Sequence, residues 1–143
     1  MTVTAPRAPA AFALAFLALA APAQAGDAAA GETTFARCKS CHMIVSPGGD
    51  VVVKGGRTGP NLWGIMGRTA GTVDGFRYGP SLVAAGDAGL VWDEASLAEY
   101  VTDPRAYLRA RLDDPKAKSR MAFKLRRGGA DVAAFLALHG AGS

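Results

Sequence analysis

The segment Cys38-Lys39-Ser40-Cys41-His42 decides how the rest of the chain is interpreted. C-x-x-C-H is the pattern of covalent haem attachment. Two thiols separated by two residues can each form a thioether with one of two neighbouring vinyl groups, and the histidine that follows is then held under the iron as an axial ligand. The motif therefore predicts one covalently attached haem c, bound by Cys38, Cys41 and His42.

Two other kinds of site use closely spaced cysteines. A thiol-disulfide oxidoreductase would place C-x-x-C in a βαβ context, which the sequence does not indicate. A zinc site would need four ligands, and beyond the first 25 residues the chain has two Cys and two His in total. A disulfide between Cys38 and Cys41 would close a very small loop and gain little stabilisation.

The N-terminal residues differ from the rest of the chain. Arg7 is the only charge among the first 25, residues 8–23 are almost wholly apolar, and Ala23-Gln24-Ala25 has small residues suited to cleavage. This pattern predicts a secretory signal peptide over 1–25 and a single mature domain over 26–143, exported to the periplasm. The alternative is an uncleaved anchor, although the apolar run is shorter than the roughly 20 residues that span a bilayer.

Helical signals are confined to the two ends of the mature region. Asp27 caps a helix predicted over 28–39, Asp93 caps another, Asp103-Pro104 opens a third through Leu112, and the last covers 130–139. Between them, 43–89 is rich in glycine and predicted to form loops without a sheet. These elements predict an all-α fold of about four short helices and long loops wrapped around the haem, because they cannot bury enough apolar surface alone.

The iron needs a sixth ligand from the face opposite His42, and four side chains are candidates. Met43 adjoins His42 and cannot reach the far face. Met66 is in a loop and is typical of core packing, and His139 is expected to be a solvated residue at a helix end. Met121 follows a long loop and precedes the last helix, so we predict that it is the second metal ligand, with packing beside Phe123 as the alternative.

Further motifs follow one another in the order of a known family. They are Gly31-x-x-x-Phe35, Thr58-Gly59-Pro60-Asn61-Leu62, Gly67-Arg68, Gly75-Phe76-x-Tyr78, Trp92, Tyr100, Pro104 and Met121. With these residues the chain resembles the class I c-type cytochromes, the mitochondrial cytochrome c and bacterial cytochrome c2 family. The segment 118–125 (KSRMAFKL) resembles the long cytochromes c2 of purple photosynthetic bacteria.

The resemblance implies roles for residues around the haem. Pro60 would offer its carbonyl to the Nδ1–H of His42, which fixes the tautomer and orientation of the ligand. Arg68, Tyr78 and Trp92 would satisfy a buried propionate. Tyr100 would lie near the Met121 sulfur. Without the family, the aromatic residues among these would be interpreted as core residues.

The resemblance also implies helix packing and some departures. Gly31 and Phe35 would meet Val132 and Phe135 where the first and last helices cross. Leu82 and Trp63 stand where mitochondrial proteins usually carry Asn and His, so the usual polar contacts near the haem are in doubt at Leu82.

The implied function is single-electron transfer by a protein that is not an enzyme. An iron with both axial positions filled has no open site for substrate, and a methionine ligand raises the reduction potential relative to two histidines. The family implies a cytochrome bc complex as donor and a photosynthetic reaction centre or cytochrome oxidase as acceptor. Alternatives are a tightly held subunit of a dehydrogenase complex and a haem peroxidase or gas-binding protein.

Charge is distributed unevenly along the chain. Segment 105–127 carries a net charge of +7, and the rest of the mature region carries −4. We predict that this basic segment docks a monomeric carrier onto acidic protein surfaces and not onto nucleic acid; a solvated loop without a partner is the alternative. The basic residues expected to take part are Arg109, Arg111, Lys116, Lys118, Arg120, Lys124, Arg126 and Arg127.

Overall fold

A computed structural model describes residues 1–2 and 25–140. The predicted signal peptide lies almost entirely outside the described residues. The described part contains five helices and one pair of short strands. They are α1 (Ala28–Phe35), β1 (Ile44–Val45), β2 (Val51–Val53), α2 (Pro80–Asp87), α3 (Glu94–Thr102), α4 (Pro104–Leu112) and α5 (Gly129–Ala137).

The first and last helices cross at close range, as the resemblance implied. A Cβ built on Gly31 would lie 1.9 Å from the carbonyl oxygen of Asp131, so only glycine allows the two backbones to come this near. The rings of Phe35 and Phe135 pack with their centroids 5.5 Å apart. The Asp27 side chain caps α1, and the Asp27 amide donates to the Asp131 carboxylate, so the crossing is fixed by polar contacts as well.

Helices α3 and α4 follow one another with a single residue between them. The Asp93 side chain accepts from the Ser96 amide and Ser96 reaches back to the Asp93 amide, which forms a capping box at the start of α3. Asp103 then caps α4, with Pro104 in its first turn. Leu97, Tyr100 and Val101 of α3 are buried, and α3 packs against α5. The core lies between these helices and the central loops.

The predicted all-α fold of short helices and long loops is observed, while the number of elements and several boundaries differ from the prediction. Helix α2 was not predicted, because glycine-rich signals on both sides hide the Pro-initiated apolar run that forms it. β1 and β2 form an antiparallel pair where only loop was expected. Helix α1 ends at Phe35 and not at Lys39, and α5 ends at Ala137 and not at His139.

The motif residues themselves form tight turns after α1. The amide of Cys38 donates to the Phe35 carbonyl and that of Cys41 to the Cys38 carbonyl, a spacing of three residues. These turns redirect the chain so that His42 faces the interior.

Among the described residues, every helix is too short or too polar to span a membrane.

Candidate cofactor site

A cavity of about 410 Å³ lies between the motif, the central loops and the segment before α5. This volume is within the range of small-molecule and cofactor sites. Five parts of the chain build its wall, and most of them are loops held by the helices. The lining residues are Cys41, His42, Thr58, Gly59, Pro60, Phe76, Arg77, Tyr78, Gly79, Leu82, Tyr100 and 118–123.

His42 is fixed on one side of the cavity by its ring nitrogen. Its Nδ1 lies 2.9 Å from the carbonyl oxygen of Pro60. A carbonyl only accepts, so Nδ1 carries the proton and Nε2 keeps a lone pair in the neutral imidazole. Burial lowers the pKa of His42, and the hydrogen bond to Pro60 opposes this only in part. The side chain is thus held neutral and oriented, which is the state that binds a metal.

Backbone contacts hold the motif in place around His42. The Gly56 amide donates to the Lys39 carbonyl and the Gly59 amide to the Cys41 carbonyl, each at 2.8 Å. A Cβ built on Gly59 would lie 2.3 Å from Cε1 of His42, so glycine is required against the face of the imidazole. We call 36–60 the proximal segment.

The two motif cysteines occupy different environments. Cys41 is exposed at the cavity mouth, and hydrogen bonds with Thr58 and then Ser40 lower its pKa. Cys38 is half-buried against the core cluster, and burial raises its pKa. Both thiols are free in the structure.

Met121 lies on the wall of the same cavity, within a segment that has no regular secondary structure. We call 113–128, between α4 and α5, the distal loop. Met121 is half-buried against the core cluster, and its carbonyl accepts from the Ser119 hydroxyl at 3.0 Å. Leu125 fastens the loop below it, because its side chain is buried and its amide donates to the Val101 carbonyl.

The three other candidates for the sixth ligand do not line the cavity. Met43 is half-buried beyond its wall, and Met66 packs against the core as expected. His139 differs from the expectation of a solvated side chain. Its Nε2 is buried and has no hydrogen-bond partner among the described residues, and its ring lies 6.4 Å from that of Trp63, because the end of α5 packs onto the central loop.

The structure divides the predicted supporting residues into two groups. Pro60, Tyr78 and Tyr100 line the cavity. Arg68 and Trp92 lie behind the wall. Arg68 donates to the carbonyls of Asn61 and Trp63, and Trp92 packs its ring 5.0 Å from that of Tyr100.

Electrostatic effects on the tyrosines follow from burial. Burial raises the pKa of Tyr78, and the charge of Arg68 is close enough to lower it in part. Burial also raises the pKa of Tyr100, whose hydroxyl is hydrogen-bonded with Ser119. Both phenols therefore stay protonated at neutral pH. Because the Ser119 hydroxyl donates its one proton to the Met121 carbonyl, the Tyr100 hydroxyl donates to Ser119, and Tyr78 is the phenol that can donate toward the cavity.

Sequence reasoning did not assign several residues of the wall to the site. Among them are Phe76, Arg77, Ser119 and Phe123. Phe76 is next to the Tyr78 motif, and Ser119 and Phe123 flank Met121, so neighbourhood to an assigned residue was the available signal. Leu82 lines the cavity as well. It provides an apolar surface at the position where mitochondrial proteins usually carry a polar Asn.

All eight residues of the predicted docking set are exposed. Lys118 and Arg120 are also part of the cavity wall, next to Met121. Arg120 donates to the Arg77 carbonyl at 2.9 Å. Lys124 is paired with Asp103 at 2.6 Å, so part of its charge is neutralised within the chain.

The residues of the cavity fit a haem better than the other cofactors considered. An imidazole nitrogen and a thioether sulfur, the ligand pair typical of cytochromes c, are both on its wall, and the mouth holds a thiol. The zinc alternative lacks ligands, since no group of three or more His, Cys, Asp or Glu in the described part of the chain could hold a metal ion. The oxidoreductase alternative lacks its βαβ unit as well, because residues 25–140 form a single antiparallel pair of strands.

A five-helix domain with a C-x-x-C-H motif and a methionine on one cavity wall defines a class I c-type cytochrome. Cytochrome c-551 of Roseobacter denitrificans is 69% identical over 112 residues, which cover 78% of this chain and 80% of that protein. Cytochrome c2 of Rhodobacter capsulatus is 58% identical over 124 residues, 87% of this chain and 90% of that protein. The chain belongs to the cytochrome c2 family.

The solved structures agree with the relatives. The crystal structure of cytochrome c2 from Rhodobacter capsulatus superposes with a TM-score of 0.77 at 57% identity, covering 78% of this chain and 97% of that one. No family model matches the chain. As a member of this family, the protein carries one covalently bound haem c, transfers electrons between redox partners and is not an enzyme.

Proposed function

We propose that the mature domain, 26–143, is a periplasmic single-electron carrier, exported by a signal peptide over 1–25. In this proposal Cys38 and Cys41 attach the haem, and His42 and Met121 are its axial ligands. The cytochrome bc complex is the electron donor, and a photosynthetic reaction centre or a terminal oxidase is the acceptor. The observation that carries the proposal is the presence of His42 and Met121 on the wall of one cavity.

A bound haem c supplies an iron that alternates between the ferric and ferrous states. The chain would hold it with the neutral, oriented imidazole of His42 and the Met121 sulfur, in a cavity whose apolar wall would keep water out. With both ligands in place no position would be left for a substrate, and electrons would enter and leave at the mouth, where Cys41 is exposed.

Arg68, Tyr78, Trp92 and Tyr100 support the haem in this proposal, in two different ways. Tyr78 and Tyr100 line the cavity; Tyr78 can donate to a polar group of a bound ligand, whereas the Tyr100 hydroxyl is held by Ser119. Arg68 and Trp92 lie behind the cavity wall. Arg68 holds the loop around Asn61 by donating to its carbonyl, and the charge of Arg68 lies near Tyr78.

Docking depends on the basic segment around the mouth. Lys118 and Arg120 flank Met121, and other members of the docking set are exposed on α4 and the rest of the distal loop. An acidic partner surface would be attracted and oriented by this charge, and the contact would be small and transient as a carrier requires. A tightly held subunit would instead copurify with its complex, so gel filtration of the native protein distinguishes the two.

The ligand assignment is tested by absorption spectra of Met121→Ala. The variant should lose the weak sulfur-to-iron band of the oxidised protein, bind carbon monoxide when reduced and have a lower potential. Met66→Leu is the matched control and should keep the band. An unchanged spectrum in Met121→Ala would refute the assignment. Haem released by acid-acetone from the denatured wild type would refute covalent attachment.

The docking assignment is tested by charge reversal at Lys118. Lys118→Glu should slow second-order electron transfer with an acidic partner at low salt, and the difference should shrink as ionic strength rises. Lys54→Glu makes the same change in net charge outside the cavity wall and should have a smaller effect. Lys124 is less suitable, because its replacement also breaks the pair with Asp103. Equal rates for wild type and Lys118→Glu at every salt concentration would refute the model.

A further inference from the structure

The side chain of Arg37 stacks on the ring of Phe123 beside the cavity. The guanidinium carbon of Arg37 lies 5.2 Å from the centroid of the Phe123 ring. Arg37 directly precedes Cys38 in the proximal segment, whereas Phe123 follows Met121 by two residues in the distal loop and lines the cavity. The contact therefore joins the two segments that carry the proposed axial ligands.

Hydrogen bonds fix the distal loop on both sides of residues 121–123. Before them, the Lys118 amide donates to the Ser81 hydroxyl and the Arg120 guanidinium to the Arg77 carbonyl, and after them the Leu125 amide donates to the Val101 carbonyl. In the described part of the chain, residues 121–123 make no hydrogen bond outside the loop. Their position over the cavity depends on side-chain contacts, of which the stacking of Arg37 on Phe123 is the one that crosses the mouth.

The side chain of Arg37 has no competing partner among the described residues. Arg37 is exposed, and the only ion pair of the described chain joins Lys124 and Asp103. A guanidinium is planar and weakly hydrated, so it stacks on an aromatic face at small desolvation cost. Phe123 is 38% exposed even with Arg37 above it. The stacking shields the outer face of a ring that otherwise faces water.

We infer that Arg37 is a positioning residue, which holds the Met121 segment closed over the cavity by stacking on Phe123. The inference rests on the proposed role of Met121 as distal ligand. It gives Arg37 a task separate from the docking set, to which charge counting along the sequence did not assign it. A cation over an aromatic ring at an exposed site corresponds to about a two- to fivefold effect on an equilibrium or rate.

The test measures how often the distal loop opens in the oxidised holoprotein. Imidazole replaces a methionine ligand only after the loop has opened, so at saturating imidazole the observed rate reaches a plateau set by opening. Arg37→Ala and Phe123→Leu should each raise this plateau about two- to fivefold. The double variant should show no further increase, because both changes remove one contact. Arg37→Lys should lie between wild type and Arg37→Ala.

Lys39→Ala is the matched control, because it removes a positive charge from the same turn without touching Phe123. An equal increase in Lys39→Ala would overturn the inference in favour of a general charge effect. A plateau unchanged in Arg37→Ala, or additive effects in the double variant, would also overturn it. The sulfur-to-iron band of the wild type separates this from the underlying proposal: a missing band refutes Met121 as ligand, whereas a band with unchanged plateau rates refutes the role of Arg37 alone.

Discussion

The two sides of the cavity are held in different ways. The proximal segment is fixed close to its ligand by backbone hydrogen bonds, such as those of Gly56 and Gly59, and by the bond between His42 and Pro60. The distal loop is held by hydrogen bonds of Lys118 and Arg120 before Met121 and of Leu125 after it, while residues 121–123 depend on side-chain contacts. The proximal side is therefore rigidly supported by backbone bonds, whereas the segment of the proposed methionine ligand can open without breaking any backbone hydrogen bond of its own.

The largest effect is expected from a change on the proximal side. Gly59→Ala would force a methyl group against the imidazole of His42, where a Cβ lies 2.3 Å from Cε1. We expect a loss of about 3 kcal/mol in the free energy of unfolding, with little holoprotein recovered. Gly48→Ala is the control, since its Cβ would meet nothing nearer than 3.6 Å. Denaturant unfolding measures both, and equal stabilities would contradict the rigid proximal support.

Hydrogen exchange compares the two sides without mutation. The amides of Gly56 and Gly59 are bonded to carbonyls of the motif, whereas those of Ala122 and Phe123 have no acceptor in the described part of the chain. The proximal amides should exchange on the order of a hundredfold more slowly, because they open only with larger parts of the fold. The measurement is native-state exchange followed by NMR. Similar protection on both sides would remove the distinction.

A smaller effect is expected from the polar contact beneath Met121. Ser119→Ala removes the hydroxyl that bonds the Met121 carbonyl and the buried Tyr100 hydroxyl. Leaving Tyr100 without this partner should cost about 1 kcal/mol and weaken the sulfur-to-iron band. Ser81→Ala, which removes a bond at the exposed end of the loop, is the control and should leave the band unchanged. Unfolding curves and spectra check both variants.

The smallest effect is expected from the ion pair between Lys124 of the distal loop and Asp103, and this effect depends on pH. The hydrogen bond with Lys124 holds the pKa of Asp103 below its usual value. The folded-state pKa is thus depressed, so the contribution to stability is full above the ordinary value of about 4 and is lost as pH falls through the folded value. Asp103→Asn keeps an acceptor for the helix cap but not the charge.

This substitution should therefore slightly destabilise the protein at neutral pH, and the difference should vanish as the pH falls through the depressed folded-state pKa of Asp103. It should also shrink in high salt, as expected for an exposed pair. Thermal unfolding of wild type and variant across this pH range makes the test. A difference that persists at low pH would assign the effect to the cap of α4 and not to Lys124.

Local signals in the sequence were sufficient for the cofactor and for most helices. The haem followed from five consecutive residues, and the family was correctly identified from motifs spread over the mature length. Asp27, Asp93 and Asp103 marked three helix starts because caps act within one turn. Helix α2 was missed because the glycines on both sides of it indicate turns, and this local pattern is stronger than the helical pattern of its eight residues.

The ligand on the distal side was a prediction of another kind. Met121 was chosen because Met43, Met66 and His139 were poorly placed, and the structure puts it alone among the four on the wall of the cavity. His139 was expected to be a solvated or helix-end residue; it does lie at the end of α5, but its Nε2 is buried because the end of α5 packs onto Trp63. The packing of two distant segments leaves no recognisable pattern in the sequence of either segment.

By itself, the sequence predicted the attachment chemistry and the proximal histidine. It also determined the starts of three helices and the concentration of positive charge in one segment. All of these features depend on residues that are close together in the chain. Only the tertiary structure decided which groups face the cavity. It moved Arg68 and Trp92 behind the wall, paired Lys124 with Asp103, and brought Arg37 onto Phe123. These contacts join residues far apart in sequence, and their geometry is set by the packing of all the helices and loops together.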